Sequence, residues 1–198
     1  MAITIEDIKK LKELTGVGLT DAKKALVEAE GDFDAALEAM RKKGLTKAQK
    51  KGDREARSGM IDSYVHDGRI GVVVEVNCET DFVARVDGFK ELAHQVAMQI
   101  AAMNPTYVSA DDIPAEERER VKAELMASEE LSKKPEEIRE KIVAGQLEKH
   151  FSEQVLMDQA YVLDDSKTVR DHVTEAIAKL GENIVVRQFK RIELGVSE

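Results

Sequence analysis

The stretch Asn77-Cys78-Glu79-Thr80-Asp81-Phe82-Val83 sets a cysteine, two carboxylates and a phenylalanine side by side at the end of a valine run. Three chemistries compete for it. A thiol nucleophile needs an exposed, electropositive setting that favours thiolate, and Cys78 instead adjoins Glu79 and Asp81. A purely structural reading makes Thr80 or Asp81 a helix cap and puts Phe82 on one helical stripe with Val86 and Phe89. In the third reading, an aromatic ring in the first turn of a helix lies at the rim of the core and enters a partner's pocket.

Other candidate groups are sparse. His66, His94, His150 and His172 are scattered, with no i, i+4 pair and no HExxH, so they read as surface or core-edge residues and not as metal ligands. Gly16-Val17-Gly18 has no following Gly-Lys-Ser/Thr and comes after a helix, where a phosphate loop needs a strand. The acid runs SADDIPAEERER and SKKPEEIREK begin helices, whose N-terminal dipoles favour negative charge without any metal. The reading is a non-enzyme with no cofactor, no metal and no catalytic residue.

The elements that position these residues follow from periodicity. Thr4 and Asp7 are spaced as a capping box ahead of a helix carrying Ile5, Ile8, Leu11 and Leu14 on one face. TGVG breaks it. Thr20 can cap a second helix with the stripe Ala22, Ala25, Leu26 and Ala29, and Asp32 starts a third through Phe33, Ala36, Leu37 and Met40 to a stop at Gly44. Helices this short are marginal alone and must share a core. Residues 41–58 are rich in Lys and Arg and read as a partly helical connector, solvated or in contact with an acidic surface.

Beyond the connector the period changes to two. Asp67-Gly68 sits between two strand-like runs, the pair a type I′ hairpin turn favours. In the second strand Ile70, Val72, Val74, Val76 and Cys78 share one face. A long helix is expected from about Thr80 to Met103, ended by Asn104-Pro105, with further helices at 114–128 and 135–148 joined by a charged turn. HFSEQVLMDQAYVLDDS reads as irregular. Thr168 and Asp171 form another capping box, Gly181 stops that helix, and NIVVRQFKRIEL reads as a strand. The expected fold class is α+β, a helix-rich core around a small, three-stranded antiparallel sheet.

Composition narrows the setting. A net charge of -9 argues against general nucleic-acid binding, which needs clustered Lys and Arg against phosphates. The single cysteine excludes an internal disulfide framework and fits a reducing compartment. No apolar run reaches the length of a bilayer span, and the N-terminal residues lack a signal-peptide pattern, so the expectation is a cytoplasmic, unanchored protein.

These residues carry a resemblance. LKELTGVGLTDAKKALVEAEGDFDAALEAMRKKG, VVVEVNCETDFVAR, AHQVAMQIAAMNP, KPEEIREKIVAGQLEK and TVRDHVTEAIAKLGENIVVRQFKR run in order along almost the whole chain, which is similar to the bacterial elongation factor Ts family in a short, single-core form. TDFV after a strand ending in Asn-Cys is the specific part of that signature. The resemblance implies a three-helix module over 1–44 similar to ubiquitin-associated domains, a basic linker over 45–58 and an α+β core over 59–198. It implies guanine-nucleotide exchange on elongation factor Tu, with Thr80, Asp81, Phe82 and Val83 approaching the Mg²⁺ side of that GTPase's nucleotide pocket. Gly16, Val17, Gly18 and Leu19, with Lys23 and Lys24, resemble the part that grips the GTPase. Longer family members carry a duplicated core, so the short form implies a homodimer in which a second chain supplies the missing half. The competing function is a protein- or RNA-binding adaptor that uses the N-terminal module and the linker without accelerating exchange.

Overall fold

The computed structural model describes residues 3–15, 17–128 and 135–196. The chain opens with three helices, α1 (Ile5–Thr15), α2 (Leu19–Glu28) and α3 (Phe33–Gln49). The capping box of α1 is present: the Thr4 N–H donates to Asp7 Oδ2 and the Asp7 N–H donates to Thr4 Oγ1, both at 3.1 Å. Leu11, Ala22, Ala25, Leu26, Ala36 and Met40 form the shared core, whose alanines let the helices approach closely. Ile5 and Leu14 share the expected stripe with Leu11 but are exposed.

Two boundaries differ from the expectation. Gly18, not Thr20, is the N-cap of α2, because the helix already begins at Leu19. Helix α3 does not stop at Gly44 and runs on to Gln49. A glycine costs a helix about 1 kcal/mol relative to alanine, and tertiary packing outweighs it here: a Cβ at Gly44 would stand only 3.7 Å from Ala178 Cβ.

The core is built on an antiparallel sheet in the order β1 (Ser58–His66), β2 (Ile70–Cys78), β5 (Ile184–Glu193). Asp67 and Gly68 both have positive φ, 48° and 65°, which fits the expected β1–β2 turn. The strand alternation holds. Val72, Val74, Val76 and Cys78 are buried against α5 (Asp87–Met103) through Phe89, Leu92, Ala93, Val96 and Ile100. On the opposite face Ile61, Val65, Val73, Val185 and Ile192 are exposed.

The long helix expected from Thr80 to Met103 is two helices. A single turn, α4 (Asp81–Ala84), is separated from α5 by Arg85 and by Val86, whose ψ of 145° is extended and which serves as the N-cap of α5. Asn104 then ends α5 in the left-handed conformation. Helices α6 (Ala115–Met126) and α7 (Glu136–Ser152) follow, with Pro114 and Pro135 as their N-caps. They enclose a small satellite core of Ile113, Val121, Phe151 and Val155. The charged turn expected between them lies outside the described residues.

The segment read as irregular is partly ordered. Helix α7 extends to Ser152, and a second, two-stranded sheet pairs β3 (Ala160–Tyr161) with β4 (Asp164–Thr168). Its strands are too short for alternation to show in sequence. Helix α8 (Val169–Leu180) starts at the Thr168–Asp171 capping box and packs on both α3 and α5, joining the N-terminal helices to the core. No helix among the described residues is long and apolar enough to cross a membrane.

Candidate functional site

The turn between β2 and α4 is anchored from the core outward. Cys78 is fully buried on the inner face of the sheet, and its Sγ donates to the Thr80 carbonyl at 3.1 Å. Burial, with the nearby Glu182 carboxylate second, pushes the thiol pKa up, so the thiolate that a nucleophile needs is disfavoured at neutral pH. Cys78 therefore serves as a packed end to the strand.

Thr80 is exposed yet held at every polar atom. Its N–H donates to Glu182 Oε2 at 2.9 Å and its Oγ1 donates to Glu182 Oε1 at 2.6 Å. Oγ1 also accepts a long cap bond from the Val83 N–H at 3.5 Å, and the carbonyl accepts from the Ala84 N–H at 3.3 Å. Extended φ and ψ of -130° and 155° make Thr80 the N-cap of α4.

The three residues after it point to different places. Val83 is half-buried and packs against the main core. Asp81 accepts from Arg85 Nη2 at 2.9 Å, an exposed i, i+4 pair. Phe82 is 80% exposed. It does not continue the buried stripe that begins at Phe89, because the extended Val86 resets the helical phase between them. Of the readings open in the sequence, the cap is present at Thr80 and the core role falls to Val83, leaving Phe82 as apolar surface on a fixed turn.

A second set of bonds surrounds this turn, and no local signal in the sequence announces it. Gly181 ends α8 with φ 83°, the left-handed conformation that glycine adopts without a Cβ clash. The next residue, Glu182, then faces Thr80. The buried Asn183 donates its N–H to Glu79 Oε1 at 2.7 Å and its side-chain amide to the carbonyls of Arg54 (2.7 Å) and Gly52 (3.3 Å). Lys51 Nζ donates to the Gly181 carbonyl. Glu182 lies 102 residues from Thr80 in sequence, so no periodicity could have paired them.

The other expected site residues form a separate group. Gly16 lies outside the described residues. Val17 packs partly against the N-terminal core, Gly18 caps α2, and Leu19, Lys23 and Lys24 are exposed on α2. The histidines do not converge on one center: His94 pairs with Asp62 at 3.0 Å, His66 with Tyr64 at 3.0 Å, His150 with Gln154 at 3.2 Å and His172 with Gln95 at 2.8 Å. No group of three or more His, Cys, Asp or Glu among the described residues is placed to hold a metal ion. What the arrangement can do is present a ring and a carboxylate to another molecule.

Comparison with known proteins places the chain in a family. Residues 45–176 match the family model described as Elongation factor TS. The chain is 53% identical over 196 residues to Elongation factor Ts of Thermotoga petrophila, covering 98% of each chain. It is 49% identical over 198 residues to that of Thermodesulfovibrio yellowstonii, covering 100% of this chain and 99% of the relative.

Proposed function

The chain belongs to the elongation factor Ts family of translation elongation factors, and on that premise we propose that it is a guanine-nucleotide exchange factor for elongation factor Tu. The observation that carries the reading is Phe82, 80% exposed on a turn whose neighbouring residue is tied at every polar atom. In this mechanism Phe82 wedges apolar surface between elements of the GTPase beside its Mg²⁺. Asp81 disturbs the polar network that holds the ion, Thr80 orients the turn, and Val83 anchors it to the core. The chain breaks no covalent bond.

Exchange requires only differential binding. A factor that binds the nucleotide-free GTPase more tightly than the GDP complex weakens GDP by the same ratio, and a coupling of about 3 kcal/mol corresponds to roughly a hundredfold. The N-terminal three-helix module supplies grip through Gly16 to Leu19 and the Lys23–Lys24 pair, with 45–58 as its linker and 59–198 as the core that carries the wedge. The site of action is the cytoplasm, where translation takes place.

A homodimer completes the proposal. The open sheet face exposes Ile61, Val65, Val73, Val185 and Ile192 among polar residues such as Ser63, Glu75, Gln188 and Lys190, a mixed surface that a second copy of the sheet can cover.

The test loads elongation factor Tu with fluorescent GDP and Mg²⁺, adds excess unlabelled GDP, and times release with catalytic amounts of this protein. Acceleration that is lost in folded Asp81→Ala and Phe82→Ala variants supports the reading. No acceleration by a folded protein with a competent GTPase puts the adaptor function first.

A further inference from the structure

We propose that Glu182, on the turn between α8 and β5, is a positioning residue that sets the pose of the Thr80–Val83 turn toward the partner; the inference rests on the exchange function proposed above. Its carboxylate accepts two charge-assisted bonds from one residue, from the Thr80 N–H at 2.9 Å and from Thr80 Oγ1 at 2.6 Å. The backbone that carries it is fixed on both sides. Before it stands Gly181, whose left-handed φ turns the chain out of α8. After it stands Asn183, buried and bonded to Glu79, Gly52 and Arg54.

Because Thr80 is exposed, water could satisfy its N–H and hydroxyl equally well if Glu182 were absent. The bonds therefore add little to global stability. Their effect is to select one conformation of a turn that water would leave free to sample several. Phe82 has no buried contact of its own to fix it, so its direction is inherited from Thr80 on one side and Val83 on the other. A ring that must enter a cleft in the partner loses more by being ordered on binding than by being held in advance.

The two residues that flank Glu182 also hold the linker. Lys51 bonds the Gly181 carbonyl, and Asn183 bonds the Gly52 and Arg54 carbonyls. The turn that orients Thr80 thus also registers the chain leading back to the N-terminal helices.

The experiment compares wild type, Glu182→Ala, Glu182→Gln, Thr80→Val and the Thr80→Val/Glu182→Ala double variant. Three quantities are read: maximal GDP release rate, half-saturating concentration, and hydrogen exchange at the Thr80 amide of the free protein. Glu182→Ala is expected to lower the maximal rate about tenfold with a smaller change in half-saturation, and to raise Thr80 amide exchange while the amides of β2 keep their protection. Glu182→Gln keeps one acceptor oxygen for the Thr80 N–H and replaces the other with an amide nitrogen that can only donate, to the Thr80 hydroxyl, so it recovers part of the rate. The double variant is expected to lose less than the product of the two single losses, since the Thr80 hydroxyl bond to Glu182 is shared while the Thr80 N–H bond and the Val83 cap bond are each lost in only one single variant. Unchanged Thr80 exchange in Glu182→Ala, an unchanged rate, or losses that multiply in the double variant would each overturn the proposal. A wild-type protein that does not accelerate release sinks the exchange function itself, and the amide measurement then decides by itself whether Glu182 holds the turn. If Glu182→Ala does not fold, Glu182→Gln gives the same two readouts, and wild-type values in both overturn the proposal.

Discussion

Phe89 is completely buried and Phe82 is 80% exposed, although they stand two helical turns apart in sequence and would share one face of an unbroken helix. The extended Val86 between them separates α4 from α5 and turns the first ring away from the core that the second one fills. A hydrophobic side chain has in this way been withdrawn from the packing that its spacing implies and placed on a surface turn.

The two phenylalanines should therefore respond in opposite ways to truncation. Phe82→Ala is expected to leave stability within about 0.5 kcal/mol of wild type while reducing GDP release by an order of magnitude or more. Phe89→Ala removes a fully buried ring and should cost about 3–5 kcal/mol. Urea unfolding of both variants, run beside the exchange assay, checks the contrast. A large stability loss in Phe82→Ala would contradict it.

Gly59 has φ 144° in β1, and a Cβ there would lie 2.2 Å from the Val76 carbonyl oxygen. That neighbour is backbone of the central strand and cannot swing aside. Gly59→Ala is expected to destabilise the protein by about 2–4 kcal/mol, combining backbone strain with steric clash. A thermal or urea midpoint equal to that of wild type would contradict this.

His172 stacks on Tyr161 at 4.3 Å and directs Nε2 to Gln95 Oε1 at 2.8 Å, while its Nδ1 is buried with no partner. Burial, and then the charge of Lys167, lower its pKa from 6.5 to about 4. Between those values the unfolded chain binds a proton that the folded chain does not, so stability falls as pH drops through that window and is fully present above it. The contribution is about 1–2 kcal/mol after discounting for the ring's partial exposure. His172→Phe should flatten the dependence of the urea midpoint on pH between about 6.5 and 4. An unchanged slope would remove the assignment.

The proposed dimer makes a prediction of its own. Ile61 and Ile192 are 69% and 72% exposed on the open sheet face, so Ile61→Lys with Ile192→Lys should preserve the fold and convert a dimer to a monomer in sedimentation. A wild-type protein that is monomeric at working concentration would remove the dimer from the mechanism.

Much of the fold was legible in sequence where the signal is local. The capping boxes at Thr4 and Thr168, the Asp67-Gly68 turn, the Asn104 and Gly181 helix stops, and the alternation of β2 all appear as read. The failures fall where local signals run out. Helix α3 passes Gly44 because α8 packs there, and the long helix breaks at Arg85 and Val86, where the hydrophobic spacing runs on without interruption. The β3–β4 pair was unreadable because its strands are too short to alternate.

At the candidate site, the sequence by itself determined which residues stand together at the end of β2: a cysteine facing the core, a helix cap at Thr80 or Asp81, and a ring. Their order along the chain is enough, because caps and alternation are decided over three or four residues. Only the tertiary structure decided where the ring points and what steadies it. Thr80 is held by a carboxylate 102 residues away, which reaches it because α8 docks on α5 and its terminal glycine turns the chain toward β2. Contacts of that separation come from the packing of whole elements, and no pattern within a short window encodes them.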